Sequence, residues 1–150
     1  MNTLFNPSDV SGILGRIEKL SPASQRQWGK MNVGQMLAHC NISIETAMGR
    51  HIVKPTPFIT RFIGRLLKAG ALSDKPFGKN SPTDKSYIFK GEPDFDQNRA
   101  KLKQSIEQFS QNGHAGCTIH PHPFFDHFTP EEWGIFQWKH LDHHLRQFNV

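Results

Sequence analysis

Residues 129–148 read TPEEWGIFQWKHLDHHLRQF. Thr129 is a helix N-cap, Pro130 fits the first helical position, and Glu132 stands where a capping-box partner belongs. The stretch predicts a helix running to about Gln147. On a helix, each residue turns by about 100°. With His140 at zero, His144 lies about 40° away and one turn on, and Trp133, Phe136 and Gln147 fall within about 40° of His140. Leu141, Leu145 and Phe148 extend the apolar face beyond His144. His143 lies about 60° to the other side, towards Lys139 and Arg146. The three histidines thus separate into an inward pair, His140 and His144, and a boundary residue, His143.

The rest of the chain supplies partners for this helix. Val10, Ile13, Leu14 and Ile17 recur at helical spacing, which predicts a first helix from about Ser8 to Leu20, ended by Ser21-Pro22. Asn32 and Gln35 form a candidate capping box ahead of the stripe Met36, Leu37, Cys40, Ile44, Ala47 and Met48, with Gly49 as the stop. A third periodic stretch lies in PTPFITRFIGRLLKAGAL. Its Phe58, Ile59, Phe62, Ile63, Leu66 and Leu67 oppose Arg61, Arg65 and Lys68. That apolar face suits a core, a partner helix or a membrane surface, and burial is the commonest use of such a face. Residues 73–93 are rich in Pro, Gly, Lys and Ser and read as a long crossover, with an extended piece at Tyr87-Ile88-Phe89. A fourth helix is expected from Asp94 to about Gln111, with Phe95, Leu102, Ile106 and Phe109 in the core. HAGCTIHPHPFFDHF, residues 113–128 less the first, has too many prolines for regular structure. The expectation is one domain, residues 1–150, with a single core that includes many of the 12 Phe rings.

Composition narrows the function classes. The net charge of +5 is scattered from Arg16 to Arg146, without the basic patch and docking element that nucleic-acid binding requires. Cys40 and Cys117 form no CxxC pair and are expected to be reduced. The first ten residues lack the pattern of a signal peptide, and no apolar run approaches a membrane span. The expected location is the cytoplasm.

The histidines carry the chemistry. An HxxxH pair on one helical face is a two-point clamp for a transition metal. It also arises by chance in a chain with nine His, whose helix histidines are often simply hydrogen-bonded. His39, in QMLAHCN on the second helix, lies beside the apolar stripe and completes a three-imidazole set from two helices. Three His with open coordination positions describe a reactive site, since a closed structural zinc site has four protein ligands. Cys40 adjoins His39 but points about 100° away and reads as core.

WGKMNVGQMLAHC, HPFFDHFTPEEW and KHLDHHLRQF together resemble the DinB-like superfamily, and within it the bacterial DUF1569 branch. The resemblance spans about Trp28 to Phe148 and is weakest between Gly49 and Lys90. It implies an all-α fold: an up-down-down-up four-helix bundle with a long crossover and short extra helices. It also implies a mononuclear divalent metal, zinc or nickel, held by His39, His140 and His144. Relatives in the superfamily include metal-dependent thiol S-transferases that use low-molecular-weight thiols.

The expected function is activation of such a thiol, or of water, against a small electrophile. The alternatives are a metal-dependent hydrolase on the same three histidines and a non-enzymatic metal- or ligand-binding stress protein. The candidate catalytic groups are His122, in the HPFF loop, and Gln147, on the metal face. Each has a plainer alternative: loop packing for His122 and helix ending for Gln147. Neither Glu45 nor Asp142 faces the site as a general base by helical geometry. His114, His120 and His127 receive no chemistry. No nucleic-acid or membrane partner is expected, and a homodimer through an exposed helix face stays open.

Overall fold

The structure is a computed structural model and describes residues 1–53 and 57–150, apart from the side chain of Phe58. The assignment of Phe58 to the third apolar stripe lies outside the described side chains. The described residues form five α-helices and two single 3-10 turns, with no strand among them. The helices are α1 (Pro7–Glu18), α2 (Val33–Ala47), α3 (Phe58–Ala71), α4 (Phe95–Asn112) and α5 (Pro130–Gln147). No described helix is long and apolar enough to cross a membrane.

The helix starts follow from local chemistry. Asn32 Oδ1 accepts from Gln35 N at 2.8 Å, and Gln35 Oε1 accepts from Asn32 N at 2.9 Å, a complete capping box for α2. Thr129 and Glu132 do the same for α5, behind Pro130 at the first helical position. Asp94 caps α4 by accepting from Gln97 N, and Gly113 at φ 58° ends it.

Both α1 and α2 pack against both α4 and α5. Four helices thus surround one core, filled by Ile13, Ile17, Met36, Leu37, Ile44, Leu102, Ile106, Phe109, Trp133, Leu141 and Leu145. Phe128, Phe136 and Phe148 belong to the same core, and Phe5, Phe77, Phe95 and Phe125 pack against it, as the Phe count predicts. Phe125, Phe128 and Phe136 gather with Trp133 beside the 122–128 loop. Inside the core, Gln137 Nε2 donates to the Ser43 carbonyl at 3.0 Å, and Ser43 Oγ donates to Gln137 Oε1 at 3.1 Å. This buried reciprocal pair fixes the register of α5 against α2.

The extended piece expected at Tyr87-Ile88-Phe89 is met in part: Tyr87 ends a 3-10 turn, Lys85–Tyr87, started by the Asp84 carboxylate accepting from Ser86 N, and Ile88 after it is extended. One expectation needs correction: the apolar face of α3 is not buried. Ile59, Phe62, Ile63, Leu66 and Leu67 are all exposed. The opposite face meets the body. Arg61 and Arg65 pair with Asp126, and Lys68 pairs with Glu132 at 2.6 Å and donates to the His127 carbonyl at 2.7 Å. Gly64 lies against the Phe124 backbone, where an added Cβ would stand 1.7 Å from the carbonyl oxygen. Asp126, buried at φ 66° and bridged to His122, is the anchor. Lys139 of α5 then donates to the carbonyls of Ala71 and Ser73, at 2.8 and 2.6 Å, and so holds the C-terminal end of α3.

Candidate metal centre

α2 and α5 bring three imidazoles to one point. His39 Nε2 lies 3.0 Å from His140 Nε2, which lies 3.1 Å from His144 Nε2. His39, His140 and His144 form a group that can hold a metal ion. The capping boxes set the helix starts, the Gln137–Ser43 pair sets the register, and helical periodicity does the rest.

The outer nitrogens explain why the inner ones converge. His39 Nδ1–H donates to the Tyr87 carbonyl at 3.0 Å. His144 Nδ1–H donates to Gln147 Oε1 at 2.9 Å. Gln147 Nε2 in turn donates to the Trp28 carbonyl at 2.7 Å, which leaves its oxygen as the end facing His144. Each of these imidazoles spends its one neutral N–H on an outer partner and presents a lone pair inward. His140 can place at most one proton between them. Three converging nitrogens with at most one shared proton is an arrangement that a cation satisfies.

Burial keeps the set neutral. It lowers the pKa of His39 and pushes that of His144 down to about 3, with His39 adding to the second effect. His140 is held well below its ordinary value by burial and then by the neighbouring His144 and His39. Neutral imidazole is the ligand form, so the donor set fits a divalent transition metal. His140 Nδ1 is buried without a partner among the described residues. Phe136 stacks on the His140 ring at 5.9 Å.

Tyr87, which the sequence reading did not place here, is tied to α2 at both ends. Its hydroxyl donates to Thr46 Oγ1 at 2.9 Å while its carbonyl holds His39. The contribution of Trp28 is also a carbonyl, and no residue-type pattern announces a backbone oxygen. Gly29, at φ 79°, allows the chain to turn against Gln147; a Cβ there would lie 2.4 Å from Gln147 Nε2.

The other candidates lie elsewhere. His122 stands outside the three-His group, beyond Phe136. Its Nδ1 accepts from Phe124 N and Phe125 N, both at 3.1 Å, and its ring packs among Phe125, Phe128, Trp133 and Phe136. His143 is half-buried between Trp28 and Phe77, at 5.7 and 5.8 Å, with Lys79 over the Trp28 ring. Asp142 pairs with Arg16 and Arg146, and Glu45 accepts from Ser105. Among the described residues, no carboxylate joins the cluster. Cys40 is buried beside Met36, and burial pushes its thiol pKa up.

Residues 7–150 match a family model whose description is "Protein of unknown function (DUF1569)". No curated protein and no solved structure matches the chain.

Proposed function

The chain belongs to the DUF1569 family, and from that premise we propose that it is a metal-dependent enzyme of DinB-like fold. In this reading α1, α2, α4 and α5 are the up-down-down-up bundle and residues 73–93 belong to its crossover. The packing of α1 and α2 against both α4 and α5 supports that topology. His39, His140 and His144 hold the metal, zinc or nickel, both of which suit imidazole.

The observation that carries the proposal is the paired orientation of His39 and His144. Each is pinned at Nδ1 and aimed with Nε2 at His140. A divalent ion held by these three neutral imidazoles would make a thiol or water presented to it more acidic. The chain's own residues do the rest. The Tyr87 carbonyl and Gln147 hold the imidazoles in the ligand tautomer. Trp28 and Phe77 pack on His143, whose ring meets that of His144.

The preferred reaction is transfer of a low-molecular-weight thiol to a small electrophile in the cytoplasm. Free Cys40 and Cys117 are compatible with a reducing setting. The hydrolase reading asks for a general base, and the occupied Glu45 and Asp142 weigh against it. A non-enzymatic binding protein is the remaining reading.

Elemental analysis after zinc or nickel reconstitution tests the metal, with about one equivalent expected in the wild type and loss in His140→Ala and His144→Ala. Equal, near-zero metal in all three sinks it. Metal-dependent conjugation of a model electrophile with a panel of cellular thiols tests the reaction, and binding without turnover favours the non-enzymatic reading.

A further inference from the structure

The outward face of α3 takes no part in the metal centre and is apolar and exposed. We propose that it is a self-complementary interface through which two copies of the chain pair, helix against helix across a two-fold axis.

Three observations point to a second copy. First, α3 is inverted relative to an ordinary surface helix. Its cations face the body, paired with Asp126 and Glu132, and its apolar residues face out. Desolvating Arg61 and Lys68 against the body while leaving Ile59, Phe62, Ile63, Leu66 and Leu67 at 49–71 % exposure makes sense where the outer face is covered. Second, those five side chains follow an i, i+3/i+4, i+7/i+8 spacing, the seam by which two helices interdigitate. They expose on the order of 600 Å², close to the ~800 Å² that each partner gives to a standard interface. A closed two-fold pair uses the same patch twice and needs no other surface.

Third, the charge pattern disfavours a lipid surface. A helix lying on anionic lipid carries free Lys or Arg flanking its apolar face. Here Arg61 and Lys68 are already paired inward, and Arg65, though more exposed, also reaches Asp126 at 3.4 Å.

The deciding experiment is sedimentation equilibrium of the full chain across a hundredfold range of concentration. The expected mass is twice the 17.1 kDa of one chain. The double variant Phe62→Glu, Leu66→Glu is expected to sediment as a monomer, with its dissociation constant raised at least tenfold and its helical circular dichroism unchanged. Should that variant fold poorly, Ile63→Cys in a Cys117→Ser background decides. A two-fold pair centred on this face brings the two introduced thiols together, and diamide should link them covalently. Absence of the link then overturns the proposal. A monomeric wild type overturns it, as does a dimer mass that survives in the folded double variant. A monomer that pellets with phosphatidylcholine–phosphatidylglycerol vesicles overturns it in favour of a lipid surface.

Discussion

Gln147 is a positioning residue because an amide has one accepting and one donating end. The oxygen takes the His144 N–H and the nitrogen gives to the Trp28 carbonyl. Gln147→Leu removes both while keeping the size, so metal affinity should fall about 10–100-fold with the helical fold intact, as for other partners of metal-bound His. Gln147→Glu keeps the acceptor and should recover part of the loss; calorimetric titration with zinc reads both. His122 offers a different test. Burial pushes its pKa down to about 3, below the unfolded value of about 6.5. Its contribution to stability is therefore complete above about pH 6.5. It drains as pH falls towards 3, because the unfolded chain takes up the proton first. The slope for one such group is about 1.4 kcal/mol per pH unit. Urea denaturation between about pH 6.5 and pH 4 should show His122→Asn losing roughly that much of the wild-type slope. The shared direction of His140 and His144 was legible because helical periodicity fixes direction within one helix. The partners on Tyr87 and Trp28 were not, since they are main-chain oxygens placed by the tertiary path.

Helix ends were legible for the same local reason that makes them stable. Asn32 with Gln35, and Thr129 with Glu132, form the capping boxes their spacing predicts. The observed α1 and α4 differ from their expected limits by one or two residues. Periodicity in α3 revealed two faces but could not reveal which one meets the body. That depended on Asp126, a single buried carboxylate sixty-five positions from Arg61. Gly64 is the steric counterpart of that anchor. In Gly64→Ala the new Cβ would collide with the Phe124 carbonyl, displacing α3 at a cost of about 1–3 kcal/mol. Amide hydrogen exchange should quicken in α3, while α2 and α5 keep their protection and the chain keeps its metal affinity. Loss of metal binding in this variant would show that α3 supports the site more directly than its contacts indicate.

Across the whole molecule, the site joins α2 to α5, and ligand binding to the native state alone must stabilise it. Zinc or nickel at a hundred times the dissociation constant should add about 2.7 kcal/mol, seen as a higher melting temperature that chelation reverses. His140→Ala should melt at the same temperature with and without metal. The individual helices were readable from spacing and the single core from chain length, while the all-α bundle and the joining of His39 to His140 and His144 rested on the family resemblance. The register between α2 and α5 was not readable, because Gln137 and Ser43 look like ordinary polar residues until they are buried against each other. That site has a polymer-physics consequence as well. His39 and His140 are 101 positions apart, so an ion between them closes a loop of about a hundred residues. A permanent cross-link of that span restricts the denatured chain by about 4–5 kcal/mol in the chain-entropy account. A metal bound by all three would be a reversible version of such a cross-link, and an ion held by His140 and His144 alone would close only a single helical turn.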